Sequence, residues 1–188
     1  DNCGIDHYTY TVNGSPITFP YAFLVGTTTV TAVATDVNGN NSDPCTFDVV
    51  VVDDQKPQIT CPTPEASYNA DAGVCTATLS FTATATDNCG VASIAYSVNG
   101  SPITFPYAFP VGTTTVTATA TDVNNNTSSC TFDVVVVDNQ KPQITCPTPE
   151  ASYNADAGVC TASLSFTATA TDNCGVASIA YSVNSSPI

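Results

Sequence analysis

FPVGTTTVTATATDVNNNTSSCTFDVVVVDNQKPQITCP, from Phe109 to Pro147, holds a strand, a polar turn, a second strand, a short linker and the first strand of a following unit. TTTVTATATD sets Thr against Val116, Ala118 and Ala120 at period two, which is the pattern of a half-buried β-strand. CTFDVVVV does the same with Phe132, Val134 and Val136. The stretch recurs, slightly altered, from Phe23 to Pro62. Cys45, Cys61, Cys75 and Cys89 recur as Cys130, Cys146, Cys160 and Cys174, each 85 residues on. A period of that length is too long for a solenoid repeat and suits a small sandwich domain. Three segments follow: residues 1–53 as the back part of one copy, 54–138 as a complete copy and 139–188 as the front part of a third.

The rest of the chain agrees with an all-β reading. IDHYTYTVNG alternates as a strand and ends in a turn at Asn13-Gly14. SPITFPYAF, with Pro16 and Pro20, reads as an irregular or edge segment. CTATLSFTATATD is the clearest strand pattern, with Ala77, Leu79, Phe81, Ala83 and Ala85 on one face. PTPEASYNADAG reads as a long loop or a ragged edge, and VDDQKP as a short linker stiffened by Pro57. DNCG at the start is a loop by composition. No stretch has helical periodicity.

Sixteen acidic residues face two basic ones, for a net charge of -14. Such a chain repels nucleic acid and anionic membrane surfaces, and it attracts divalent cations. With 43% hydrophobic and 10% charged residues it is not a disordered acidic tail. Nine cysteines in a β protein of this size point to an oxidising compartment. No run approaches the length of a membrane helix, so no direct membrane insertion is expected. With no Met and no signal peptide, the chain is expected to come from inside a longer one.

FPVGTTTVTATATD, CTFDVVVVD, ITCP and ATDNCG, in this order and spacing, resemble the hyalin repeat, or HYR domain. The resemblance covers essentially the whole chain. It implies tandem immunoglobulin-like β-sandwich repeats joined by short linkers, in an extracellular protein. The near-identical copies with four cysteines each resemble the arrays of giant surface adhesins of gliding bacteria. Ala118 departs from the pattern, standing where many family members carry an apolar aromatic residue.

Cys61, Cys75, Cys89 and Cys130 allow three connectivities, and loop-closure entropy does not choose between the leading two. The resemblance implies Cys61–Cys130, because family members with only two cysteines keep those positions. With it go Cys75–Cys89 and, in the third segment, Cys160–Cys174. The alternative, Cys61–Cys75 with Cys89–Cys130, also fits simple sandwich geometry. Zinc is disfavoured by the lack of any C-x-x-C spacing.

In a sandwich of this kind the loop after the second strand, the last hairpin turn and the N-terminal linker share one end. Asp87 and Asn88 sit in the first, Asp122, Asn124 and Asn126 in or beside the second, and Asp53 and Asp54 in the third. Asp53, Asp54, Asp87 and Asp122 are therefore the candidate metal ligands, with calcium at the junctions between copies as the candidate ion. Asp and Asn are also ordinary turn formers, and no EF-hand motif is present. Catalysis is not expected. His7 is the single histidine and its counterpart in the next copy is Ser93, so no repeated base exists beside a nucleophile.

The expectation is an extracellular structural or adhesive repeat protein, secreted or on the cell surface, forming a semi-rigid stalk or filament. Its partners are neighbouring copies in the same chain, with self-association or surface glycans and proteins beyond them. The alternatives are a glycan- or protein-binding array using tyrosines such as Tyr96 and Tyr107, or accessory repeats of a secreted enzyme.

Overall fold

A computed structural model describes residues 3–184 together with the backbone of Ser186 and Pro187. Asp1 and Asn2 of the DNCG segment lie outside the described residues. All regular structure among the described residues is β.

The first segment forms β1 (Ile5–Val12), β2 (Ser15–Ile17), β3 (Gly26–Asp36) and β4 (Cys45–Val51), an antiparallel sheet in the order β2-β1-β3-β4. The complete copy forms β5 (Gln58–Thr60), β6 (Tyr68–Asn69), β7 (Thr76–Leu79), β8 (Thr84–Thr86), β9 (Val91–Val98), β10 (Ser101–Ile103), β11 (Tyr107–Pro110), β12 (Gly112–Asp122) and β13 (Thr127–Val137). Its larger sheet runs β10-β9-β12-β13-β6, with β6 parallel to β13 and the other pairs antiparallel. The smaller pairs β11-β7 and β5-β8 complete the sandwich. The third segment forms β14 (Gln143–Thr145), β15 (Thr169–Thr171), β16 (Ser182–Val183) and β17 (Ser186–Pro187).

The hairpin turns follow from local chemistry. Asn13-Gly14 and Asn99-Gly100 all have positive φ, which suits the turn joining two right-twisted strands. Strand alternation then sorts the side chains. Along β12, Val116, Ala118 and Ala120 are fully buried, and Phe132, Val134 and Val136 of β13 join them from the neighbouring strand. Ala118, the departure from the family pattern, is packed without exposure. Phe81 sits at the centre of an aromatic cluster, 5.4 to 6.0 Å by ring centroid from Phe132, Tyr68, Phe105 and Phe109. These edge-on contacts add to the burial of area.

Two expectations need correction. CTATLSFTATATD is not one continuous strand, because the ladder breaks between Leu79 and Thr84. The alternation still holds across the break: Ala77 and Ala83 are buried while Thr78, Ser80 and Thr82 are exposed. The strand simply changes partner, from β11 to β5. The irregular SPITFPYAF segment is in part regular, since its second copy supplies β10 and β11.

The two copies also show what each layer contributes. Tyr107–Pro110 is a strand because β7 pairs with it, whereas the matching YAF at 21–23 has no such partner and forms no strand. Phe47 of β4 is 42% exposed, while its counterpart Phe132 is 7% exposed under the covering layer. Among the described residues of the first segment there is no counterpart of β5 to β8.

Candidate functional site at the junction between copies

Three segments converge where the first copy meets the second. Asp53 lies in the linker after β4, Asp87 in the loop after β8, and Asp122 at the end of β12. One carboxylate oxygen from each lies within 4.8 Å of the others. Asp54, the next linker residue, is exposed and stands outside this group.

Asp122 is the anchor. Its Oδ1 accepts the main-chain N–H groups of Asn124 and Asn126, both at 2.8 Å, and its Oδ2 accepts the Asn126 side-chain amide at 2.8 Å. Burial opposes its ionisation, but these donors outweigh it and hold the carboxyl below its ordinary value. The same turn in the first copy treats Asp36 alike, with Asn38 and Asn40 as donors.

Asp53 is held by main chain and amide. Its Oδ1 accepts from the Gln55 N–H at 3.2 Å and from the Asn88 side chain at 3.3 Å, and its carbonyl accepts from Asn126 at 3.1 Å. Ser128 Oγ donates to the Pro57 carbonyl, adding a further tie between β13 and the linker. Asp87 Oδ1 accepts the N–H groups of Cys89 and Gly90 at 2.9 and 3.1 Å. Two buried oxygens, Asp53 Oδ2 and Asn124 Oδ1, have no hydrogen-bond partner. Burial and then the neighbouring carboxylates, Asp53 foremost, push the Cys89 thiol pKa up.

The next junction repeats two sides of this arrangement, the linker and the loop. Asn173 faces Asp138 at 3.4 Å, Gln140 N–H donates to Asp138 Oδ1 at 3.0 Å, and Cys174 N–H donates to Asp172 Oδ1 at 2.9 Å. Asp172 Oδ2 and Asn173 Oδ1 are buried and unpartnered. Here the second copy also reaches across. The Asn173 side chain donates to the Val74 carbonyl at 2.9 Å, and Gln140 bridges the Gly73 N–H and the Asp71 carbonyl at 3.0 and 3.1 Å.

Beside these contacts, Cys75 is bonded to Cys174, with Cα atoms 4.8 Å apart. Cys61 is bonded to Cys130 across the sandwich, with Cα atoms 5.9 Å apart. The expected Cys75–Cys89 and Cys160–Cys174 pairs are not formed. The reason is geometric. Cys75 precedes β7 and Cys89 lies in the loop after β8, and the two strands between them pair with different partners, β11 and β5. Cys75 and Cys174 instead meet across the junction between the second and third copies.

The tyrosines offered as a binding surface pack inward instead. Tyr96 Oη accepts the Ala83 N–H at 2.8 Å, and its ring lies 4.8 Å from Phe105. Tyr107 stacks edge-on against Phe109 at 4.9 Å. His7 is exposed, with Asp6 at 2.8 Å on Nδ1. No helix among the described residues is long and apolar enough to cross a membrane.

Comparison with known proteins places the chain in a family. Two curated relatives are named hyalin. One, from Strongylocentrotus purpuratus, is 36% identical over 66% of this chain and 10% of its own length. The other, from Lytechinus variegatus, is 36% identical over 86% of this chain and 31% of its own length. The chain thus spans about a tenth of one relative and about a third of the other. Among solved structures, fibronectin(III)-like modules of Clostridium thermocellum CbhA align over 73% of this chain and 81% of that one, at 21% identity and a TM-score of 0.39. A protocadherin gammaB7 EC3-6 structure aligns over 73% and 42%, at 20% identity and a TM-score of 0.34. The family model described as HYR domain matches residues 17–51 and 52–136, and with more than half its length so matched the chain belongs to the HYR domain family.

Proposed function

We propose that the chain is a section of an extracellular adhesive or structural array, in which HYR copies follow one another head to tail as a semi-rigid stalk or filament. The observation that carries this reading is the junction between the second and third copies. Hydrogen bonds from Asn173 and Gln140 and the Cys75–Cys174 bond tie the two together at several points around a short linker. Such a connection resists bending where a flexible linker does not. Shape, rather than chemistry on a substrate, is then what the repeat supplies.

Calcium fits the same reading. Asp53, Asp87 and Asp122 bring three carboxylates together, and the unpartnered Asp53 Oδ2 and Asn124 Oδ1 add buried oxygen donors. Hard oxygens of this kind are the donor set calcium takes. A cation there would relieve the carboxylate repulsion and draw linker, loop and turn together. The disulfides fit an oxidising, extracellular location.

Electron microscopy of the natural protein tests the stalk. The expected image is an unbranched rod that lengthens by about 35–40 Å per copy, from strand rise plus turns. Beads freely bending at every junction would overturn it.

A further inference from the structure

The Cys75–Cys174 bond has a consequence for the cysteines outside it. Cys160 is the 85-residue counterpart of Cys75, and Cys89 is the counterpart of Cys174. In the structure neither Cys89 nor Cys160 is in a disulfide. Both nevertheless sit in the setting of the formed bond. Before Cys75, Asp71 N–H donates to the Thr76 carbonyl and Asp71 Oδ2 accepts the Thr78 N–H at 2.9 Å; before Cys160, Asp156 makes the same two contacts with Thr161 and Ser163, the latter at 2.9 Å. At Cys174, Asn173 Nδ2 lies 3.3 Å from Sγ and Asp172 Oδ1 receives the N–H at 2.9 Å; at Cys89 the matching distances are 3.2 and 2.9 Å. Each half is therefore built for the same bond.

We propose that Cys89 takes the Cys75-type thiol of the preceding copy and Cys160 takes the Cys89-type thiol of the following copy, so that a disulfide crosses every junction of the array. This rests on the array reading given above. Each bond forms when two thiols give up two protons and two electrons to a disulfide oxidant, protein or small molecule, which leaves as two thiols.

The resulting network has an unusual connectivity. The Cys61–Cys130 loop and the Cys75–Cys174 loop overlap rather than nest. Every peptide bond from Cys61 to Cys174 then lies inside at least one loop. The linker at 138–142 lies inside the second loop alone. Repeated along the array, this gives two covalent routes between copies, one through the linker and one through the junction disulfide. A single backbone cut at any point leaves the array in one piece. For a protein exposed to proteases outside the cell, the proposed role of the junction disulfide is tolerance of nicking.

The test uses the chain's two basic residues. Lys56 and Lys141 both precede proline, where trypsin cuts poorly, so Pro142→Ala leaves one good tryptic bond, in the linker. After trypsin, the unreduced variant is expected to keep its full size of 19.3 kDa on a denaturing gel and to separate into residues 1–141 and 142–188 only on reduction. Adding Cys75→Ser is expected to let the pieces part without reductant. Separation of the Pro142→Ala chain without reductant overturns the bond. For the array, the denatured, unreduced natural protein is treated with a thiol-alkylating reagent and mapped. No alkylation at Cys89 or Cys160 is expected, whereas alkylation there, or a Cys75–Cys89 crosslink, overturns the proposal. A natural protein without further copies would overturn the array reading and the extension to Cys89 and Cys160, with the nicking result on Cys75–Cys174 unaffected.

Discussion

The side-chain amide of Asn126 donates to Asp122 Oδ2 at 2.8 Å and to the main-chain carbonyl of Asp53 at 3.1 Å, so one residue couples the last turn of a copy to the linker that enters it. Replacing it leaves two acceptors without a donor in a partly buried site. Asn126→Ala is expected to destabilise the complete copy by about 1–3 kcal/mol, the usual cost of leaving buried polar groups unpaired. Thermal unfolding followed by circular dichroism measures this, and an unchanged melting temperature would show that water replaces the amide without loss.

Asp122 predicts an acid response. Its folded carboxyl titrates below the ordinary value of 3.8, so its contribution to stability is present above that pH and is lost as pH falls towards the folded value. The melting temperature is expected to decline as pH drops below about 4. Asp122→Asn should be less stable at neutral pH and show a shallower decline over the same window. Equal slopes for the two proteins would assign the acid loss to other carboxylates.

Calcium should raise the melting temperature, and a chelator should reverse the rise. At one hundred times the dissociation constant, a ligand that binds only the folded state adds about 2.7 kcal/mol. Asp87→Asn removes one of the three converging carboxylates and should reduce or abolish the rise, while Asp54→Asn, outside the group, should leave it intact. A rise of equal size in both variants would place the ion elsewhere.

The Cys61–Cys130 bond closes a 69-residue separation. On the chain-entropy account its removal costs about 4 kcal/mol. The double variant Cys61→Ala, Cys130→Ala is expected to lose roughly that much in denaturant unfolding of the complete copy. A loss under about 1 kcal/mol would mean that the aromatic cluster around Phe81 holds the layers together by itself.

Much of this architecture was legible in the residues. Period-two alternation placed Val116, Ala118, Ala120, Phe132, Val134 and Val136 inward, because a strand offers only two faces. Asn-Gly marked the hairpin turns. The meeting of Asp53, Asp87 and Asp122 followed from the resemblance, which told which loops share an end. Two things were not legible. The break between Leu79 and Thr84 depends on which strand lies alongside, and alternation carries no information about partners. The reach of Asp71–Cys75 onto the next copy depends on how copies stack, which no single-copy pattern encodes. The pairing of Cys75 with Cys89 is overturned by the Cys75–Cys174 bond, which joins two copies.

In the proposed array, the Cys61–Cys130 bond would also set how each copy answers a pull. A copy of 85 residues, drawn out fully, would reach about 290 Å. With the bond intact, tension passes straight from Cys61 to Cys130, and only the 16 residues onward to Cys146 can straighten, to about 55 Å. A copy that loses its fold therefore gives up little slack. Such a cord lengthens by only about 20 Å for each bead that unfolds, against about 250 Å without the bond.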